Sequence, residues 1–239
     1  MRRTVLTSIL AALLLAPLAG CGHQVTPDRL YNSLPGDMVI NFSVNGSGGG
    51  LNFSQFNYVI VLNTCGVGGE PYPNGFSTTY KNYSYSFAVG PGYANSTVLP
   101  DLFEYYISGG VLRPFPVLLG SSTTSFVPDL FGDNTTFQLT FTRAQLNNPL
   151  MITNSLGQSP CVQVGGTDKA TTWYINFFTL DQNFNVLDSL GIGGPTDTTY
   201  NLPINITQPV QDPIVRQAGA QHASNPSAWI TGGQINNYP

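Results

Sequence analysis

Histidine is almost missing: the 239 residues hold two, His23 and His222. Neither lies in a segment with a core-forming pattern, so a Ser-His-Asp triad or a histidine-ligated zinc site has no central residue to build on. Charge is equally scarce. Asp, Glu, Lys and Arg make up 8% of the chain, against roughly a quarter in ordinary soluble domains. Past residue 20 the only bases are Arg29, Lys81, Arg113, Arg143, Lys169 and Arg216, all scattered. A phosphate backbone is held by clustered cations, so nucleic acid is excluded as a partner. Twelve acids against these six bases leave about −6, with no acidic run, a charge that serves solubility rather than recognition. Cys65 and Cys161 have no second cysteine or histidine at ligand spacing, and nothing else in the chain calls for a metal or another cofactor.

Long apolar runs are confined to the N-terminus. Met1-Arg2-Arg3 is basic and precedes Val5-Leu6 and then Ile9 to Ala16, too short to span a bilayer as a permanent helix. The run closes with Leu18-Ala19-Gly20-Cys21, which resembles the lipobox of bacterial lipoproteins. The resemblance implies a signal peptide over residues 1–20, cleavage before Cys21, and a diacylglyceryl group on its thiol, usually with an acyl chain on the new N-terminus. Two or three acyl chains hold a protein stably at a membrane, whereas one does not. Residues 21–36 are polar and punctuated by Pro27 and Pro35, and read as a tether. Gly22 replaces the aspartate that resembles an inner-membrane retention signal, which favours the outer membrane or cell surface in a host with two membranes.

What the mature chain does contain is period-two alternation. Met38, Ile40, Phe42 and Val44 alternate with polar or smaller residues, as do Tyr83 to Val89, Phe137 to Phe141 and Tyr200 to Ile206. Side chains along a strand point to opposite faces, so each run is expected to put one face in a core and the other in water. Tyr58 to Leu62 is apolar on both faces, as a central strand would be, and Thr172 to Phe178 is aromatic on both. Pro203 and the Arg113-Pro114-Phe115-Pro116 stretch belong on edges or in loops, because proline cannot donate to a ladder. No helical stripe of useful length is present, although Leu99–Ile107 and Thr142–Asn147 each have room for a turn or two. The expectation is an all-β fold, an antiparallel β-sandwich of Ig-like or jelly-roll-like kind over residues 37–207. Residues 208–239, punctuated by Pro209, Pro213, Pro226 and Pro239, read as a loosely ordered tail packing locally through Trp229 and Ile230.

Candidate chemistry is thin. With Cys21 lipidated, Cys65 and Cys161 are left outside the cytoplasm, where a disulfide between them is the expectation and two buried thiols the alternative. A carboxylate-only hydrolase needs two acids facing each other about 5 to 10 Å apart. The glutamates are Glu70 and Glu104, and Asp101 and Glu104 are neighbours if that stretch is helical. Asp181-Gln182-Asn183-Phe184-Asn185 matches the first oxygen positions of a calcium loop, but Val186 stands where glycine is needed and Ile192 where the bidentate acid should be. A hairpin turn accounts for the same residues. Asp129 with Asp133 and Asn134 forms a second loose cluster.

The aromatics Tyr72, Phe76, Tyr80, Tyr93, Tyr105 and Tyr106 fall in or near loops, where ring faces can meet sugar C–H groups or partner side chains. These features point first to a membrane-anchored, non-catalytic binding or assembly module contacting an envelope protein. A carbohydrate-binding module using the loop tyrosines is the second reading, and a carboxylate-dependent hydrolase the third.

Overall fold

The structure, a computed structural model, describes residues 33–66, 72–73, 80–81, 83–93, 99–119, 123–146, 157, 159, 161, 169–190, 202–216 and 222–239. The signal segment, Cys21, His23, Glu70, Phe76 and all but the last residues of the tether lie outside this set.

Among the described residues fourteen strands follow one another: β1 (Asp37–Val44), β2 (Asn57–Asn63), β3 (Tyr72–Pro73), β4 (Tyr80–Lys81), β5 (Tyr85–Val89), β6 (Asp101–Ser108), β7 (Val111–Val117), β8 (Thr124–Val127), β9 (Thr136–Thr142), β10 (Thr172–Leu180), β11 (Val186–Ser189), β12 (Leu202–Asn205), β13 (Val210–Val215) and β14 (Ile230–Asn237). A five-stranded antiparallel sheet runs β13-β14-β1-β9-β8. A seven-stranded sheet runs β11-β10-β2-β5-β6-β7, with β12 also on β10. The two pack face to face as a β-sandwich, as the alternation predicts.

The core between the sheets takes one side of each alternating run. Met38, Ile40 and Phe42 from β1 meet Tyr58, Ile60 and Leu62 from β2 and Trp173, Ile175 and Phe177 from β10, all fully or almost fully buried. Phe42 stacks on Phe137, ring centres 4.9 Å apart, and meets Tyr58 edge-on at 5.7 Å. Each such side chain removed from water contributes roughly 1.5–3 kcal/mol. A void of about 10 Å³ near Tyr58, Phe87 and Phe137 has room for no more than one water.

The other faces are not simply in water. Val59 and Val61 of β2 and Phe178 and Leu180 of β10 form a second buried cluster with Tyr105, Ala88 and Tyr83. On the five-stranded sheet, Asn41, Gln138, Thr140 and Asn236 are buried although polar. Central strands crowd these side chains between neighbours on both sides, and Gln138 Nε2 donates to Asn41 Oδ1 at 2.9 Å.

Prolines sit where missing donors do no harm. Pro203 lies in β12, which pairs only with β10, and Pro213 lies in the edge strand β13. In the edge strand β7, Pro114 and Pro116 lie opposite Tyr105 and Phe103. The N–H of Tyr105 points the other way, to Ser84 O in 2.9 Å. The two prolines therefore turn their nitrogens to the open side of the sheet, which removes donors that another strand would use.

Two expectations are corrected. Leu99–Ile107 is not a helical turn but most of β6, because β5 and β7 supply ladder partners on both sides; the turn after Thr142 is a 3-10 turn over Arg143–Gln145. The stretch from residue 208 is not a loose tail either. It provides β13 and β14, and β14 lies between β13 and β1 with Ile230 and Ile235 fully buried. Cys65, just past β2, forms a disulfide with Cys161, Cα atoms 4.9 Å apart.

Candidate functional site

Among the described residues, Cys65 and Cys161 meet in the disulfide and Tyr93 packs on the cluster that holds Tyr105, but the aromatics and acids singled out in the sequence build no shared site. Tyr105 is buried in β6, its hydroxyl 2.9 Å from Ser86 Oγ, and burial pushes that hydroxyl well above the ordinary tyrosine range. Tyr93 packs on Phe103 and Phe184 with ring centres 5.8 and 5.6 Å apart. Tyr106 is half-buried in β6, and Tyr72 and Tyr80 lie in the short β3–β4 ladder. Tyr93, Tyr105 and Tyr106 therefore form no row of exposed rings. Asp101 and Glu104 are three residues apart on one strand, which puts them on opposite faces of the sheet.

The two calcium-like clusters are turns that satisfy themselves. Asp181 Oδ1 accepts the N–H groups of Asn183 and Asn185, each at 2.8 Å, and Oδ2 accepts Asn185 Nδ2 at 2.8 Å. Burial is the largest single influence and pushes the Asp181 carboxyl up, but the three hydrogen bonds together outweigh it and hold the group below its ordinary range. The loop closes the β10–β11 hairpin that the sequence pattern also allows. Asp129 Oδ1 accepts the N–H of Gly132 at 2.9 Å and of Asn134 at 3.0 Å, and Asp133 Oδ1 accepts both N–H and hydroxyl of Thr135. Asn134, at φ 58°, donates through Nδ2 to the carbonyls of Gly49 and Leu51. His222 stacks on Trp229 with ring centres 4.4 Å apart.

A groove of about 420 Å³ lies elsewhere, on the outer face of the five-stranded sheet. Its floor is where β14 passes β1. Ser43 pairs with Gly232 but Val44 pairs with Ile230, so Thr231 is an extra residue, a β-bulge. Gly232 and Gly233 follow with φ of 148° and 154°, backbone that favours glycine. The two glycines form part of the floor of a depression lined by Asn41, Ser43 and Thr136 on one side and Val215 on the other, with Gln234 and Thr231 at its ends. Ser43 and Thr136 share a hydroxyl hydrogen bond of 2.9 Å.

At the rim stands Phe131, 53% exposed. It is carried by the Asp129–Asn134 loop, whose internal hydrogen bonds to Asp129 and outward ones from Asn134 fix its course. The second calcium-like cluster is thus a brace beneath an exposed ring. No side chain lining the groove is charged. One row further along the same face, Val39 pairs with both Thr140 and Asn236. Thr140 Oγ1 and Asn236 Nδ2 are buried there without a hydrogen-bond partner.

Sequence reasoning missed this groove. Its residues come from four strands and a loop, and its floor lies in the stretch read as tail. The one local signal was Gly232-Gly233 inside an otherwise strand-like run, a mark of a bulge or close backbone approach. No family model, curated protein or solved structure matches the chain.

Proposed function

We propose that this chain is an exported, lipid-anchored lipoprotein that works as a non-catalytic binding module of the cell envelope. Cys21 is the lipid attachment, the membrane is the first partner, and the glycine-floored groove is the contact surface for the second. The observation that supports a binding role best is the groove itself. A bulged, glycine-indented sheet face offers hydroxyl and amide groups on rigid strands, with one exposed ring held by a braced loop. Sites on strands hold their geometry better than sites on free loops.

Two measurements test this. Changing Cys21 to Ser is expected to move the protein from the membrane to the soluble fraction; continued membrane association would refute the anchor. Cross-linking and pull-down of the full-length protein from membranes is expected to recover an envelope component with the native groove and to lose it with Phe131→Ala. Equal recovery from both would refute the groove as the contact surface.

A further inference from the structure

We infer that the groove takes an uncharged glycan; this rests on the binding-module reading above and specifies its ligand. The lining selects by what it lacks and what it offers. Among the described residues no Lys, Arg, Asp or Glu lines the depression, so a phosphorylated or carboxylated ligand finds no counter-charge there, and a cationic peptide finds none either. Asn41 and Thr136 are buried, Asn41 Oδ1 already accepts from Gln138, and Ser43 and Thr136 share a hydrogen bond, so the groups most open to a ligand are the Gln234 amide and the Thr231 hydroxyl, each of which both donates and accepts. Such groups match the vicinal hydroxyls of a sugar, each of which also donates and accepts.

A peptide would ask for something different. Extended peptides gain affinity from main-chain hydrogen bonds along an open strand edge. The groove lies on a face, over backbone groups already used within the sheet by β1, β13 and β14. The Phe131 ring, exposed at the rim on a loop its own hydrogen bonds hold in place, supplies an apolar surface for sugar C–H groups. Gly232 keeps its part of the floor bare, because a Cβ there would lie 2.4 Å from Ile214 O.

The test titrates full-length protein, kept in a detergent without sugar headgroups, with neutral hexasaccharides of glucose, mannose, xylose and N-acetylglucosamine, read by calorimetry. At least one is expected to bind. Phe131→Ala and Gln234→Ala are each expected to weaken it by about tenfold or more, with the melting temperature unchanged. Val111→Ala, on the distant edge strand β7, is expected to leave affinity unaltered. Binding to none of the four, or binding that both groove variants leave intact, overturns the glycan assignment. If the membrane pull-down then still loses an envelope protein on Phe131→Ala, the binding-module reading stands and only the ligand class falls. If it loses nothing, both fall together.

Discussion

Arg216 grips Asp188 through two hydrogen bonds, Nη1 to Oδ2 at 2.6 Å and Nη2 to Oδ1 at 2.8 Å, with the carboxylate side chain fully buried. Asp188 belongs to β11 of the larger sheet, whereas Arg216 follows β13 of the smaller one. The same Oδ2 accepts the N–H of Ile230 at 2.7 Å, and the same Nη1 donates to Ile230 O at 3.0 Å. One ion pair therefore ties the end of the large sheet to the start of β14. Burial raises the Asp188 carboxyl above its ordinary range, against the pull of Arg216 and the Ile230 N–H. Removing one partner strands the other charge out of water. Asp188→Asn is expected to cost about 3–5 kcal/mol in urea unfolding. The double change Asp188→Leu with Arg216→Met is expected to cost clearly less than Asp188→Asn, and a larger loss in the double variant would refute this account.

The glycine floor makes a sharper demand on sequence. A Cβ on Gly233 would lie 2.0 Å from Asn41 O, a backbone atom in the neighbouring strand. Gly109, in the β6–β7 turn at φ +61°, has nothing within 4 Å of the same position. Gly233→Ala is therefore expected to cost at least about 2 kcal/mol, and Gly109→Ala about 1 kcal/mol or less. Equal melting-temperature losses for the two would show that the close approach is not what fixes glycine at residue 233.

How much of this was legible in sequence depends on local pattern. Tyr58–Leu62, apolar on both faces, announces the buried β2, and the regular alternations announce β1, β5 and β9. Strand β14 escapes the same test for a geometric reason. Ile230 and Ile235 both enter the core but stand five residues apart, an odd spacing that period two assigns to opposite faces. The bulge at Thr231 restores the phase, and a bulge is set by pairing with β1, not by its own residues. Tyr105 and Tyr106 were read together as loop aromatics. Pairing of β6 on both sides separates them, one buried and the other half-buried. The groove is further still from any local signal, since Ser43, Thr136 and Gly232 meet only across three strands.

Cys65 and Cys161 close a loop with a sequence separation of 96, and both are buried. A constraint on so long a loop removes unfolded-state entropy worth roughly 4–5 kcal/mol in the chain-entropy model. Non-reducing mass spectrometry is expected to show one linked peptide pair containing these residues. Changing both to Ser is expected to lower the stability by several kcal/mol; free thiols at both positions, or an unaltered melting temperature, would refute the bridge.

The β10–β11 hairpin gives the protein a specific response to acid. Burial pushes the Asp181 carboxyl up, and the hydrogen bonds from Asn183 and Asn185 together overcome it and hold the group below its ordinary range. A depressed carboxyl binds its proton less readily in the folded chain than in the unfolded one. Its contribution to stability is therefore complete above the ordinary aspartate value of about 3.9 and is lost as pH falls through the lower, folded value. Asp181 is half-buried at the surface, so solvent screening keeps the contribution to at most about 1 kcal/mol. Asp181→Asn retains an oxygen at the same place but cannot ionise. Wild type is expected to be slightly more stable than this variant at pH 6, and the gap is expected to close as pH falls below the ordinary aspartate value and through the lower, folded one. Urea titrations of both proteins across that range measure it directly. A gap that stays constant with pH would mean that the turn is held by shape alone, and that the charge on Asp181 adds nothing to the amide hydrogen bonds it accepts.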